Sequence, residues 1–317
     1  MISRICSQLP KGVLDNEHFS RLFPAWTPED ILNKTGIRQR SIAAPDECAS
    51  DMACQAAERL MEGHAAAVDS LIFCSQSQDY RLPATACLIH ERLGLSSHCG
   101  AIDIGQGCSG YIYGLSLACG LIQSAQAANV LLLNADTYTR FLAPDDRSTR
   151  AIFGDGAAAT LLSSTSASRL SGFTFGTDGK GAEYLMLKAG GCRHPEADAD
   201  PYIRMNGPEV FSFTLRVVPD LVEAVLQKSA LALDDVDLFV FHQANLFMLE
   251  HLRKKLGIPS YKFFTHLEEC GNTISASIPI ALEAAISSGR LHPGQKVLLA
   301  GFGVGWSWGG CLLEWLP

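Results

Sequence analysis

The chain carries the same pair of strand patterns twice. An apolar run that begins at Val68 returns at Val236, an offset of 168 residues, and a run that begins at Val130 returns at Val297, an offset of 167. A repeat in the same order at nearly the same spacing indicates a duplicated unit. The runs are continuously apolar, which is typical of strands buried on both faces of a sheet. Chance recurrence of apolar strands in an α/β protein is the alternative.

Helical patterns separate these strands, at residues 53–60, 115–122 and 215–226. A strand–helix–strand series that occurs twice predicts a layered α/β fold. We place the two halves at residues 1–165 and 166–317. Cys108 and Asn272 then occupy equivalent turns, 164 residues apart, and His242 follows a strand of the second half. We expect a pseudo-twofold axis to bring these three residues together.

Composition argues against several classes of function. The formal net charge is −8, whereas nucleic-acid-binding proteins present a basic surface, so no nucleic-acid partner is expected. No apolar run reaches the roughly 18 to 20 residues that span a bilayer, and the first residues lack a signal-peptide core, so no membrane association is expected. The eleven cysteines form no CxxC pair, which favours reduced thiols in the cytoplasm over disulfides or a metal site.

Cys108 stands where a predicted strand gives way to a predicted helix. It is flanked by Gly107 and Gly110, which permit a tight turn. A thiol at the N-terminus of a helix is expected to have a lowered pKa, because free N–H groups and the helix dipole favour the thiolate. Such a thiolate can attack a thioester and become acylated. The alternative is a buried structural cysteine, which is the expectation for most of the others.

His242 and Asn272 complete a candidate catalytic set. His242 closes the apolar run 236–241, and Asn272 stands in a Gly-Asn-Thr turn. Taken singly, the histidine reads as a core residue and the asparagine as a turn or helix cap. Together with Cys108 at related turns, they provide an imidazole and an amide. Both can donate an uncharged hydrogen bond to an oxygen that becomes negative during a reaction.

Six short stretches follow one another in a specific order. They are 35–40 (TGIRQR), 107–110 (GCSG), 153–157 (FGDGA), 242–245 (HQAN), 271–273 (GNT) and 301–309 (GFGVGWSWG). In that order they resemble the ketoacyl-acyl carrier protein synthase III family of the thiolase superfamily. The resemblance covers nearly the whole chain. It implies a duplicated thiolase-like fold of five layers, αβαβα, and a decarboxylative Claisen condensation in fatty-acid or related lipid or polyketide synthesis.

By that resemblance Cys108 accepts the starter acyl group, and His242 and Asn272 hold the carbonyl of a malonyl thioester. The backbone N–H groups of Cys108 and Val304 are expected to form an oxyanion hole. The substrates are thioesters of coenzyme A or of the acyl carrier protein, and no cofactor or metal is expected. The resemblance also implies a homodimer, in which Leu82 enters the partner's acyl pocket.

Two binding regions follow from the same resemblance. The residues expected to bind substrate or coenzyme A are Lys34, Arg147, Gly207 and Asn245. The residues expected to dock the acyl carrier protein are Gln243, Phe247, Arg253, Lys254 and Lys255. For the basic cluster 253–255 the alternative is an ordinary solvated helix face.

Several positions depart from the family pattern. Asp30 stands where the family places a tryptophan that stacks on the adenine of coenzyme A opposite Arg147, and a carboxylate cannot stack in that way. Pro208 replaces an asparagine near the pantetheine arm, while Phe247 and Ser212 replace two docking cations. We therefore expect a specialised member, primed by an acyl carrier protein or by an unusual acyl-CoA.

Other functions fit parts of the sequence. Residues 154–159 match a dinucleotide fingerprint, but no amphipathic helix follows them. Transfer of the acyl group to an amine, alcohol or aromatic acceptor is the second hypothesis, although it needs no enolate trap. A structural subunit paired with an active homologue is the third, although such a subunit would be free to lose Cys108.

Overall fold

The computed structural model of the protein describes residues 1–63, 67–195 and 200–316. The strands of the first half are β1 (Ile2–Gln8), β2 (Gly12–Asp15), β3 (Gln39–Ile42), β4 (Ser70–Cys74), β5 (Gly100–Ile104), β6 (Asn129–Asp136) and β7 (Gly156–Ser163). Those of the second half are β8 (Arg169–Thr177), β9 (Leu185–Leu187), β10 (Ile203–Met205), β11 (Leu238–Phe241), β12 (Phe263–Phe264), β13 (Lys296–Gly303) and β14 (Ser307–Glu314). The α-helices are α1 (Asn16–Leu22), α2 (Pro28–Thr35), α3 (Ala49–Met61), α4 (Thr85–Arg92), α5 (Gly110–Gln123), α6 (Arg147–Arg150), α7 (Gly207–Lys228), α8 (Leu246–Lys255) and α9 (Ser277–Ser287).

Two five-stranded sheets share one strand order. The first is β1-β7-β6-β4-β5, and the second is β8-β14-β13-β11-β12. In the order given, the first two pairs of neighbouring strands in each sheet are antiparallel, and the last two pairs are parallel. The predicted duplication is therefore confirmed, with β4 matching β11 and β6 matching β13. The proposed division between residues 165 and 166 falls in the connection from β7 to β8.

Helices form three layers around these sheets. α5 and α9 lie between the two sheets, α3 and α4 cover the outer face of the first sheet, and α7 and α8 lie outside the second. A helix that packs between two sheets is expected to be largely apolar, as α5 and α9 are. Gly114 lets α5 approach β6, because a Cβ atom there would lie 2.6 Å from the Leu132 side chain. The αβαβα arrangement is confirmed.

Strand β13 explains the continuous apolar runs of the sequence. Val297 and Leu299 face the central core around α5 and α9, whereas Leu298 and Ala300 face the outer core beneath α7. All four are fully buried. Burying a leucine side chain stabilises the fold by about 1.5–3 kcal/mol. Both faces of the strand therefore contribute to stability, and a polar residue at any of these positions would be unfavourable.

Candidate active site

Three connections bring the candidate catalytic residues to one cavity. Cys108 lies between β5 and α5, and Asn272 lies in the corresponding connection between β12 and α9. His242 follows β11 directly. All three side chains line a cavity of about 100 Å³. Their exposed fractions are 7%, 2% and 4%, so water is largely excluded from the reacting groups.

The sulfur of Cys108 lies under the second half of the molecule. A Cβ atom at Gly303 would come within 2.8 Å of the sulfur, so glycine is required for this close approach. The backbone N–H groups of Val304 and Cys108 lie close to the thiol sulfur and lower its pKa. Burial outweighs them and raises the pKa of Cys108 to about 12. The expectation of a lowered pKa is wrong, because α5 begins only at Gly110 and desolvation exceeds the effect of the helix N-terminus.

His242 is held by a hydroxyl from α9. Its Nδ1 lies 2.8 Å from Ser277 Oγ, which in turn lies 2.9 Å from the carbonyl oxygen of Ile274. Burial lowers the pKa of His242 to about 3, so the imidazole is neutral at physiological pH. Two arrangements satisfy these distances. Ser277 donates to Ile274 and accepts from Nδ1–H, or it turns to donate to Nδ1 and leaves the proton on Nε2.

The orientation of the Asn272 amide is fixed by its own turn. Its Oδ1 accepts a hydrogen bond from Ile274 N at 3.0 Å, so its Nδ2 faces the cavity, 3.5 Å from His242 Nε2. Ile274 has a φ of 53°, which is unfavourable for a β-branched residue. The main chain of Asn272 is hydrogen-bonded to Ile152 and Gly154 of the first half. These contacts hold the strained turn in place.

Asp136, at the end of β6, ties this turn to the first half. Its carboxylate accepts hydrogen bonds from Ser275 Oγ at 2.6 Å and from Gln76 N at 2.7 Å. Burial raises the pKa of Asp136 to about 6. Sequence reasoning missed both Asp136 and Ser277, since neither belongs to the motifs. Their spacing from the candidate residues carries no signal that could have identified them.

The chain is similar to known proteins over nearly its whole length. The model of the 3-Oxoacyl-[acyl-carrier-protein (ACP)] synthase III family matches residues 102–179, and the model of its C-terminal part matches residues 226–315. A beta-ketoacyl-[acyl-carrier-protein] synthase III of Methylococcus capsulatus is 38% identical over 312 residues, which are 97% of this chain and 96% of that protein. That of Clostridium perfringens is 36% identical over 313 residues, 96% of each chain. The chain belongs to the beta-ketoacyl-[acyl-carrier-protein] synthase III family.

Solved structures of synthase III proteins agree in fold. A crystal structure of a 3-oxoacyl-(acyl-carrier-protein) synthase III has a TM-score of 0.97 and 45% identity, and covers 99% of both chains. A crystal structure of a 3-oxoacyl-(acyl-carrier protein) synthase from Burkholderia xenovorans LB400 has a TM-score of 0.93 and 38% identity, and the match covers 100% of this chain and 94% of that chain. The family resemblance, the thiolase-like fold and the assignment as an acyltransferase of the condensing type are thereby confirmed.

The residues expected to bind substrate lie in two places. Gly207 and Asn245 line the catalytic cavity. Lys34 and Arg147 lie farther out, where both cations contact the Trp26 ring, at 4.4 and 5.0 Å from its centre. Trp26 is the residue that sequence comparison with the synthase III family missed.

The expectation that Arg147 faces Asp30 is wrong. The Asp30 carboxylate caps the start of α2, where it accepts hydrogen bonds from the N–H and the hydroxyl of Thr27 at 3.1 and 2.9 Å. A tryptophan therefore does lie beside Arg147, but it comes from the residue before the cap. The spacing within the synthase III motif does not predict it.

The residues expected to dock the carrier protein differ in accessibility. Gln243 is fully buried and bonds Phe241 O and His266 N, so its assignment to the docking surface is wrong. Phe247 is 53% exposed and packs against Phe211 and His251. Asn245 and Met248, which flank Phe247 in the sequence, line the catalytic cavity.

Two of the three cations in the basic cluster 253–255 of α8 already have partners within the chain. Arg253 pairs with Glu250 at 2.8 Å, and Lys255 Nζ donates to Leu215 O at 2.8 Å. Lys254 is exposed, and within the described ranges it forms no such bond. Of the three cations, Lys254 is thus the one with its donors open to a partner.

A further cavity of about 300 Å³ adjoins the catalytic cavity. It is lined by Tyr138, Val304 and Leu185, and Leu185 also lines the catalytic cavity. Leu82, which the family resemblance places in the partner's acyl pocket, is 86% exposed on a loop of the chain. A large apolar side chain this exposed is typical of a surface that a partner covers.

Proposed function

We propose that this chain acylates Cys108 and condenses that acyl group with malonyl-acyl carrier protein, releasing carbon dioxide. One observation carries the proposal. A buried sulfur close to two backbone N–H groups shares a cavity with a neutral imidazole and a fixed amide, whose nitrogen atoms are 3.5 Å apart. The two backbone N–H groups can stabilise the oxyanion of acyl transfer, and the imidazole and amide can stabilise the enolate oxygen of the next step.

The first step is acyl transfer. The Cys108 sulfur attacks the carbonyl carbon of the donor thioester, and the donor leaves as a thiol that has taken up the cysteine proton. Two N–H groups, from Cys108 and Val304, stabilise the tetrahedral oxyanion. Because burial raises the pKa of the free thiol to about 12, the sulfur is protonated before the reaction and loses its proton during the attack.

The second step is decarboxylation and carbon–carbon bond formation. The malonyl carboxylate leaves as carbon dioxide, and the electron pair passes to an enolate oxygen that Asn272 Nδ2–H and His242 Nε2–H stabilise. Donation from Nε2 requires the arrangement in which Ser277 donates to Nδ1. The enolate carbon then attacks the acyl group, and the Cys108 sulfur leaves. Simple acyl transfer to an amine or alcohol would leave this enolate trap without a role.

The starter donor is proposed to be an acyl-CoA. An aromatic ring and a guanidinium group side by side, as in Trp26 and Arg147, suit stacking on an adenine base. The reason for expecting a carrier-protein donor, a carboxylate opposite Arg147, therefore falls away. Trp26→Ala should raise KM for acyl-CoA without changing kcat for condensation.

The acyl carrier protein is proposed to dock beside Phe247 and Lys254. A homodimer is proposed through β5, an edge strand of the first sheet, where Ile102 is 47% exposed. Pairing of two copies along this edge would cover Leu82 and bring it to the partner's acyl cavity. Ile102→Asp should convert the dimer to a monomer in analytical ultracentrifugation.

The cytoplasm is the proposed compartment. All eleven cysteines are free thiols, as expected in a reducing environment. Within the described ranges, no helix has both the length and the apolar character needed to cross a membrane. The proposed chemistry needs thioester substrates and no cofactor.

One experiment tests the condensation directly. The enzyme is incubated with acetyl-CoA and carboxyl-labelled malonyl-acyl carrier protein, and both carbon dioxide and acyl-Cys108 are measured. Stoichiometric release of carbon dioxide and formation of a ketoacyl product are expected. An acyl-enzyme that forms normally but never releases carbon dioxide would reject condensation in favour of transfer to another acceptor.

A further inference from the structure

A second cavity lies on the other side of Phe153 from the catalytic one. It measures about 470 Å³, within the range of small-molecule sites. Its walls are mainly apolar, formed by the β2–β3 hairpin with Val13 and Ile42, by Pro45, and by Leu142. An apolar cavity of this kind suits a hydrocarbon chain.

Arg150, the last residue of α6, is the cation in this cavity. Its Nε is buried and has no hydrogen-bond partner among the residues that the structure describes. Arg150 also takes part in none of the ion pairs of residues 1–63, 67–195 and 200–316. A buried donor without a partner is unfavourable, and a guanidinium group is best satisfied by a carboxylate or phosphate oxygen.

The acidic groups near this cavity are already satisfied. Asp155 accepts from Thr139 N at 3.0 Å, from Thr139 Oγ1 at 2.6 Å and from Ala43 N at 2.8 Å. Glu47 accepts from Ala44 N at 3.1 Å. These carboxylates do not neutralise Arg150. Arg140, the other cation near this cavity, donates to the carbonyl oxygens of Ala44, Pro45 and Glu47 at 3.1, 3.0 and 2.6 Å.

Phe153 connects this cavity to the reaction. Phe153 lines both cavities, and its main chain forms a parallel bridge with Asn272. A molecule that fills the larger cavity contacts Phe153 on the side away from the catalytic residues. Because the catalytic cavity is only about 100 Å³, a small displacement of Phe153 changes the space for malonyl.

We propose that this cavity binds a free fatty acid, with its carboxylate on Arg150 and its alkyl chain along β2 and β3, and that binding slows condensation through Phe153. The slowing rests on the function proposed above, but the binding does not. Calorimetry measures binding without turnover, so failure of the site and failure of the function are distinguishable.

The test uses octanoate as the probe and 1-octanol as its uncharged counterpart. Arg150→Leu should weaken octanoate binding by roughly tenfold or more, the usual effect of losing a hydrogen bond to a charged group. It should leave 1-octanol binding little changed. Val13→Trp, which fills the cavity from an exposed position, should abolish both. Arg169→Leu removes a charge from an exposed position of β8 and is the matched control.

The same variants decide how octanoate inhibits. If it acts through this cavity, inhibition of condensation disappears in Arg150→Leu and Val13→Trp and persists in Arg169→Leu. Octanoate also resembles an acyl chain, and could compete in the acyl cavity near Tyr138. Binding or inhibition that is equal in all four proteins would place the fatty acid there and overturn the proposal.

Discussion

The two halves of the molecule have the same strand order but end their corresponding strands with different residues. Phe73 of β4 pairs with Leu133 of β6, as Phe241 of β11 pairs with Ala300 of β13. One residue beyond these phenylalanines, the first half has Cys74 and the second has His242. Three residues beyond Leu133 and Ala300, the first half has Asp136 and the second has Gly303.

These differences leave space for the catalytic cavity at the ends of the second-half strands. In the first half the Cys74 thiol is buried and donates to Gln106 O, and Asp136 fills the end of β6 and anchors Ser275. In the second half Gly303 leaves room for the Cys108 sulfur, and His242 faces the same space. Duplication thus supplies two equivalent sets of positions. The reaction uses the second-half residue of each pair, since His242 supplies the imidazole and Gly303 leaves space for the sulfur.

Removal of the nucleophile should produce the largest effect. Cys108→Ala is expected to lower turnover by roughly 10⁵- to 10⁶-fold, as when a covalent nucleophile is lost. Mass spectrometry should find no acyl adduct at residue 108. Cys74→Ala is the control from the first half and should acylate normally. An acyl adduct on Cys74 in wild-type protein would break the comparison.

Asn272→Ala should separate the two steps. Loss of one oxyanion donor is expected to lower the rate of decarboxylation by roughly 10²- to 10³-fold. Acylation of Cys108 should continue, because its oxyanion is stabilised by backbone N–H groups. The two rates are measured as release of carbon dioxide and as growth of the acyl adduct. Condensation at the wild-type rate would show that the amide has no such role.

Gly303→Ala tests whether the open position in the second half matters. The added methyl group would lie 2.8 Å from the Cys108 sulfur. Overpacking of this kind costs about 1–3 kcal/mol, so acylation should slow by roughly 10- to 100-fold. Gly105→Ala is the matched control, since a Cβ atom there meets nothing within 4 Å. Equal rates in the two variants would mean that the sulfur does not need this space.

His242 of the second half should make the stability of the protein depend on pH. The pKa of His242 is lowered by burial from 6.5 to about 3, so between these values the unfolded chain binds a proton that the folded chain does not. The stabilisation is complete above pH 6.5 and is lost as pH falls toward 3. Between about pH 7.5 and 5 the wild type should lose about 2 kcal/mol more of its unfolding free energy than His242→Gln. Urea unfolding at both pH values measures this, and parallel losses would contradict it.

Ser277→Ala should give the smallest effect. The variant loses the hydroxyl that fixes the imidazole, and decarboxylation is expected to fall by roughly tenfold. Acylation should change little. Ser288→Ala is the control, because its hydroxyl bonds only main-chain oxygens at the exposed end of α9. If acylation fell as much as decarboxylation, Ser277 would support the fold rather than the tautomer of His242.

Periodicity and motifs predicted the fold and the three candidate catalytic residues for a physical reason. Continuous apolar runs indicate strands that are buried on both faces of a sheet. The end of each strand then fixes the position of the turn that follows it. The environment of each residue was less predictable. The pKa of Cys108 depends on Gly303 and Val304, which are nearly 200 residues away along the chain. No local pattern reports a contact of that kind.

Two other errors have local causes. Gln243 follows His242 directly, but its side chain lies inside the protein. There it donates a hydrogen bond to Phe241 O and accepts one from His266 N. Trp26 precedes the cap of α2, and its ring reaches Lys34 at the other end of that helix. Counting four residues back from Lys34 gives Asp30. It misses Trp26, which is farther away in the sequence but whose ring contacts Lys34 in the fold.

The burial of Cys108 determines how the protein meets reactive electrophiles. Cys87 and Cys192 are exposed, whereas the Cys108 thiol is 7% exposed and has a pKa raised to about 12. Small alkylating agents and oxidants therefore modify the two surface thiols first. A covalent inhibitor must first gain affinity by occupying the cavity, so the selectivity of such a compound comes from its shape and not from its warhead.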